Sequence, residues 1–192
     1  MISGTLGLLL FLASSGQSLR YWIEPCQQLV SGCQPEDVEL ADWAFQAWQH
    51  ASGKSLQLSR VEDLRKAHIR VYWAGAREGV YGEARPIMVE GKQGAEVYVR
   101  PAAAMSDRLL RETVVYLTCL HETGHALGLA HTANFADIMY NFQFGGDIAE
   151  YFGRYRRKLN KHQDIQEQSG MSVGDRKRLL AILTGNYLMS GN

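Results

Sequence analysis

The sequence predicts an α+β chain, and three observations carry that prediction. Short alternating runs rich in aromatic and β-branched residues at 19–24, 56–61, 67–74 and 95–99 have strand patterning. Stretches with apolar residues at helical spacing occur at 35–51, from Ser106 past residue 120, at 148–159 and after Ser172. The strands gather in the first hundred residues or so and the long helices follow, with one helix among the strands, which suits α+β layering rather than strict strand–helix alternation.

Size and composition agree. A chain of 192 residues, 46% of them hydrophobic, can bury the core of one globular domain, taken here as 19–192 with an insertion at 141–171 before the last helix. The formal net charge of zero offers no argument for a nucleic-acid partner. No apolar run reaches the length of a membrane span, so membrane contact is not expected, and a monomer is. Residues 1–18 read as a candidate secretion signal, an apolar run followed by Ala13-Ser14-Ser15-Gly16, although no Lys or Arg precedes the run. The alternative is a first buried strand. Export would put Cys26 and Cys33 in an oxidising compartment, where they could close a small loop as a disulfide; otherwise they are free thiols. Cys119 reads as a buried apolar side chain.

Each element has its own local reason. The strand at 19–24 stops at Pro25, and the helix at 35–51 carries Val38, Ala41, Trp43, Phe45, Ala47 and Trp48 on its apolar side before Gly53. In 67–74, Ile69, Val71 and Trp73 share one face, and His68, Arg70 and Tyr72 the other. Residues 81–89 read as an irregular strand, and Pro86, which cannot donate to a ladder, assigns it to a sheet edge. A turn is expected at 91–94, then a strand at 95–99. The next helix is expected to take Ser106 as its N-cap and is apolar nearly all round, so it belongs in the core. Helical spacing of Ile148, Tyr151, Phe152, Tyr155 and Leu159 opposes a basic side with Arg154, Arg156, Arg157, Lys158 and Lys161; that side is either solvated or meets a membrane surface or acidic partner. His162 is expected to be exposed. Ser172 with Asp175 forms a capping-box-like start, and Leu179, Leu180, Ile182 and Leu183 are the expected buried face of the last helix.

The stretch that carries chemistry is 121–131, which reads H-E-x-x-H-x-x-G-x-x-H. On a helix, His121 and His125 lie one turn apart on the same face and can bind one metal ion at about 2.0–2.1 Å each. Glu122, one residue round, is placed to reach a water on the metal rather than the metal itself. Gly128 can take a positive φ and end the helix, letting His131 swing back as a third ligand. Three protein ligands leave a fourth position open, which marks a catalytic rather than a structural zinc site.

This string resembles the metzincin metalloproteases. Met139, eight residues after His131 in Asp137-Ile138-Met139-Tyr140, resembles their Met-turn, and the short gap with a Met-Tyr pair is similar to the matrixin branch. The resemblance implies a twisted, mostly parallel five-stranded sheet with one antiparallel edge strand, a zinc helix, a Met-turn and a C-terminal helix, with three helices in all. It implies a zinc-dependent endopeptidase acting on proteins or peptides. His121, His125 and His131 would hold one Zn²⁺, and Glu122 would activate a zinc-bound water. Gly128 and Met139 would give structural support. An extended peptide would add to the edge strand at Tyr81, Gly82, Glu83 and Ala84, and Tyr140, Asn141 and Phe142 would wall the main pocket. The long stretch after Phe142, including the helix at 148–159, would border the primed side, which receives the residues after the cut.

Two departures from the family pattern stand out. Residues 75–105 contain no His and no Asp, and Glu83 stands where the edge strand would place a His, so neither a structural zinc nor calcium is expected. No cysteine-switch propeptide of the P-R-C-G type is present. The rival class is a zinc- or peptide-binding module without catalysis, against which Glu122 argues because only the chemistry needs it. A gluzincin with a downstream Glu ligand is disfavoured because His131 already fills the third place.

Overall fold

The structure is a computed structural model that describes residues 16–27, 31–75, 81–101 and 105–185. The candidate signal at 1–18 falls almost wholly outside these residues. Five strands, β1 (Gln17–Ile23), β2 (Leu56–Arg60), β3 (Ile69–Trp73), β4 (Gly82–Val89) and β5 (Lys92–Val99), form one sheet in the order β2-β1-β3-β5-β4. The first three pairings are parallel, and β4 runs antiparallel to β5 at the edge. The helices are α1 (Pro35–Ala51), α2 (Arg108–Ala126), α3 (Ile148–Arg156), α4 (Asp164–Glu167) and α5 (Val173–Leu183). The expected α+β architecture is present. Of the helices, α1, α2 and α5 answer the three implied by the resemblance, whereas α3 and α4 lie in the 141–171 segment.

The sheet pattern follows from alternation. In β3, Ile69, Val71 and Trp73 are buried while Arg70 and Tyr72 are only partly covered. Helix α1 caps with Gln34 and Asp37 in a capping box, takes Pro35 in its first turn, and buries Leu40, Ala44, Phe45 and Trp48 completely. It packs on α2, which also lies against β5 and β4. Between α1 and α2, Arg111 grips Asp37 with both guanidinium nitrogens, Nη1–Oδ1 and Nη2–Oδ2 each at 2.7 Å, in a fully buried setting. A bidentate pair of this kind fixes the relative rotation of two helices, and removing one partner would strand the other charge in the core.

Several expectations are corrected. The turn before β5 is tighter than 91–94: Glu90 and Gly91 both have positive φ, 51° and 74°, so β4 and β5 form a hairpin with a two-residue connection and Val89 pairs with Lys92. Asp107, not Ser106, caps α2, accepting from Leu110 N–H at 3.1 Å. On α5, Leu179 is buried but Leu180 is exposed. The bridge between Cys26 and Cys33 is formed, and Cys119 is a buried free thiol whose pKa burial pushes well up.

The 141–171 segment is part of the core rather than an appendage. Tyr151, Phe152, Tyr155, Leu159 and Ile165 are all buried. Arg156 bonds Asp107 at the start of α2, Tyr116 OH donates to Ser169 O at 3.0 Å, and Tyr155 OH donates to the Gln168 carbonyl. His162 is not exposed. Its ring nitrogens lie 3.0 Å from Glu112 Oε2 and 3.2 Å from Glu39 Oε2, and its ring packs 4.8 Å from Trp43. Burial alone would lower the His162 pKa, but the hydrogen bonds to Glu112 and Glu39 outweigh it and hold the pKa above its usual value. A raised folded-state pKa means the stabilisation is complete below the unfolded pKa and fades as pH rises through the folded one. His162→Gln should therefore cost on the order of 1 kcal/mol at about pH 6 and clearly less at about pH 9. Urea unfolding at the two pH values checks this; an equal loss at both would mean that the charge of His162 contributes nothing.

Candidate metal centre

The site is built on the C-terminal half of α2, and close packing below it dictates a glycine. A Cβ on Gly124 would sit 2.5 Å from Met139 Sδ and 3.0 Å from Trp48, so only glycine lets the helix rest on that methionine. Met139 is fully buried there. Trp48 Nε1–H reaches the Leu120 carbonyl at 2.9 Å, fixing the helix from the α1 side. The helix ends at Ala126, and Gly128 has φ 94°. Thr132 then pairs with the 137–140 loop, its N–H donating to Met139 O at 2.8 Å and its carbonyl accepting from Asn141 N–H at 3.1 Å, which carries His131 back over the helix.

The three expected histidines converge. His131 Nε2 lies 3.2 Å from His121 Nε2 and 3.1 Å from His125 Nε2. A tetrahedral metal with bonds near 2.0–2.1 Å would separate its ligand nitrogens by about 3.3 Å, close to both of these distances; one ligand atom of each ring lies within 4.8 Å of the others, so the set could hold one such ion. The second partners support the same reading. His121 Nδ1 lies 2.6 Å from Ile138 O, and His125 Nδ1 lies 2.8 Å from Leu129 O. A carbonyl can only accept, so both protons sit on Nδ1 and both Nε2 lone pairs face the centre. His131 differs: Asn141 Nδ2 lies 3.0 Å from its Nδ1, which places its proton on Nε2. A half-turn of the Asn141 amide would make the third ring match, at the expense of the 2.9 Å bond from Gln143 N–H to Asn141 Oδ1. Burial pushes the His121 pKa down to about 4 and lowers those of His125 and His131, which keeps the rings neutral, as metal ligation requires.

Glu122 is buried beside this triad. Burial raises its pKa to about 7, with Glu83 adding to the rise and Arg100 opposing it. Its neighbour across the cleft is the backbone of β4. A Cβ on Gly82 would meet Glu122 Cγ at 2.6 Å, its Oε1 at 2.8 Å and Thr118 Cγ2 at 2.8 Å. Glycine at 82 is thus what allows the edge strand to run alongside the carboxylate.

A cleft of about 270 Å³ opens against the triad. Of the expected substrate-binding residues, Tyr81, Gly82, Tyr140 and Phe142 line it, together with Asn141. Glu83 and Ala84 do not. Ala84 packs against the core, and Glu83 bonds Arg85 at 3.0 Å, with Arg100 3.8 Å away. Tyr140 OH donates to Gly145 O at 2.7 Å, so its hydroxyl is engaged away from the triad. From the insertion, Tyr151 and Phe152 complete the wall, and Leu117 and Thr118 of α2 form the rest. Leu117 and Thr118 were not identified from sequence, where they are ordinary members of an all-round apolar helix. Asp137 and Asp175 were also missed. They are buried under the 137–140 loop, with Asp175 Oδ2 accepting from Ile138 N–H at 2.9 Å and Asp137 bound by Ser172, Thr132 and Arg178. Only the capping-box pattern at Ser172 hinted at Asp175.

The comparisons with known proteins agree with this geometry. The family model described as Matrixin, peptidase family M10, matches residues 15–147, a stretch that contains the triad, Glu122 and Met139 and stops just before α3. No curated protein matches the sequence. Among solved structures the chain is similar to the archaemetzincin of Methanopyrus kandleri, with a TM-score of 0.50 and 15% identity over 91% of this chain and 99% of that one. At that identity the likeness is one of fold. The family match spans well over half of the sequence, and with it the chain belongs to the matrixin family of metzincin zinc metallopeptidases.

Proposed function

We propose that the chain is an exported, monomeric, zinc-dependent endopeptidase, with one zinc ion held by His121, His125 and His131. The observation that carries this reading is the convergence of three imidazoles, with His131 Nε2 3.2 and 3.1 Å from those of His121 and His125, beside a buried carboxylate in a cleft with an open sheet edge. When bound, the ion supplies Lewis acidity that polarises the scissile carbonyl. The protein's own part rests on three features. The edge of β4 not paired to β5 offers main-chain groups to an extended peptide, which would add as a further strand. The aromatic cleft takes the side chain that follows the cut. Glu122, in its low-dielectric pocket, accepts a proton from the attacking water and returns it to the leaving amine. Burial by itself raises the Glu122 pKa, and a cation bound beside it would favour the ionised carboxylate that accepts the proton. The Cys26–Cys33 bridge and the apolar run at the N-terminus support export.

Three outcomes test the reading. Glu122→Ala should retain zinc and fold while losing roughly 10²–10⁴-fold in kcat/KM on a quenched peptide, whereas His125→Ala should lose the metal as well. Activity in Glu122→Ala close to that of the unaltered protein would refute the mechanism. Gly82→Ala should lower kcat/KM by about 100-fold with metal content intact, because a methyl group there must displace Glu122; undiminished activity would show that the strand yields instead. Phe152→Leu keeps the packing apolar but shortens the wall. It should widen the preference just after the cut toward larger side chains in a peptide-library digest, and an unchanged preference would remove α3 from specificity.

A further inference from the structure

A second cavity, of about 530 Å³, lies between α3, α5 and the 167–171 backbone, outside the metal centre. Arg154 from α3, Lys158 two residues past its end and Arg176 from α5 line it, against one carboxylate, Glu167. The distribution of ion pairs on α3 and the residue after it is uneven. Arg156 is paired with Asp107 at 3.0 Å and Arg157 with Glu150 at 2.6 Å, both away from the cavity. Among the described residues, none of the three cavity-facing cations is in an ion pair. Arg154 is held between two rings, its guanidinium carbon 4.5 Å from the Tyr151 ring centre and 4.8 Å from that of Phe135, which restrains it before any ligand arrives. Arg176 touches Ser169 Oγ at 3.4 Å. The chain as a whole carries no net charge, so three unpaired cations round one concavity do not reflect a basic protein.

We propose that this cavity is a binding site for a tetrahedral oxyanion of the phosphate class, held by Arg154, Lys158 and Arg176. Guanidinium groups present forked donors that match such an anion, and an ammonium adds a movable point charge. The concavity distinguishes the site from a solvated basic face, because a ligand there can meet cations from two helices at once. Tyr151 and Leu117 line both this cavity and the metal cleft, so the two sites share a wall.

The test is titration of inorganic phosphate into the metal-loaded full chain at constant ionic strength set with chloride, read by calorimetry. A hydroxamate occupies the metal so that phosphate at the triad does not count. Saturable binding with a dissociation constant on the order of 1 mM or tighter is expected, weakened at least about tenfold in Lys158→Ala/Arg176→Ala. Both altered side chains are exposed and, among the described residues, in no ion pair, and Lys158→Glu provides a second, single variant with the same expected loss. Sulfate should compete with phosphate. Absence of saturable binding above the chloride baseline, or equal binding in the variants, overturns the proposal. The readout does not involve peptide cleavage, so it stands or falls separately from the proposed peptidase activity.

Discussion

Two backbone carbonyl oxygens, those of Ile138 and Leu129, set the orientation of the metal centre. Each takes an Nδ1 proton and so aims an Nε2 lone pair inward. Much of the surrounding structure holds these carbonyls still. Ile138 is gripped at its N–H by Asp175, and its carbonyl also receives Tyr151 OH at 3.2 Å. Asp137, one residue earlier, is fastened to α5 through Ser172 Oγ at 2.6 Å and Arg178 Nη2 at 2.7 Å. Burial would raise the Asp137 pKa, but bonds from Ser172, Thr132 and Arg178 outweigh it and keep the carboxyl below its usual range. The C-terminal helix, far from the motif in sequence, is thus the buttress of the first histidine.

The insertion joins this arrangement at the same point. Tyr151 both walls the cleft and donates to the carbonyl that orients His121. On the other side, the insertion is tied to α1 and α2 through His162, Arg156 and the Tyr116 bond to Ser169. Helix α3 is therefore positioned by contacts at both ends, which gives its aromatic side chains fixed places in the cleft wall.

The sequence revealed the triad fully, because spacing on a helix translates directly into direction in space. The same holds for α1 and β3, whose periodicity is clean. The hairpin turn was misplaced because Glu90 is not a residue that announces a positive φ, and only the pairing of β4 with β5 over eight residues forces it into that conformation. Asp137, Asp175 and His162 were illegible for a different reason. Each is a polar residue in or near a loop, and its role comes from partners on other elements, such as Glu39 for His162 across 123 positions. The sequence placed Gly82 on the edge strand and Gly124 within the motif but gave no reason for glycine at either. Their necessity appears only once Glu122 and Met139 are seen within bonding range of an absent methyl group.

The seat of Met139 also bears on chemical durability. A thioether gains an oxygen on oxidation and becomes a larger, polar group. At position 139 the sulfur is sealed between Gly124 and the loop, with no solvent access, so an oxidant reaches it only through local opening. Met88 on the outer strand and Met105 before α2 are exposed at 68% and 40% and stand open to the same oxidant. The methionine beneath the histidines is thus protected, while surface thioethers take the first damage.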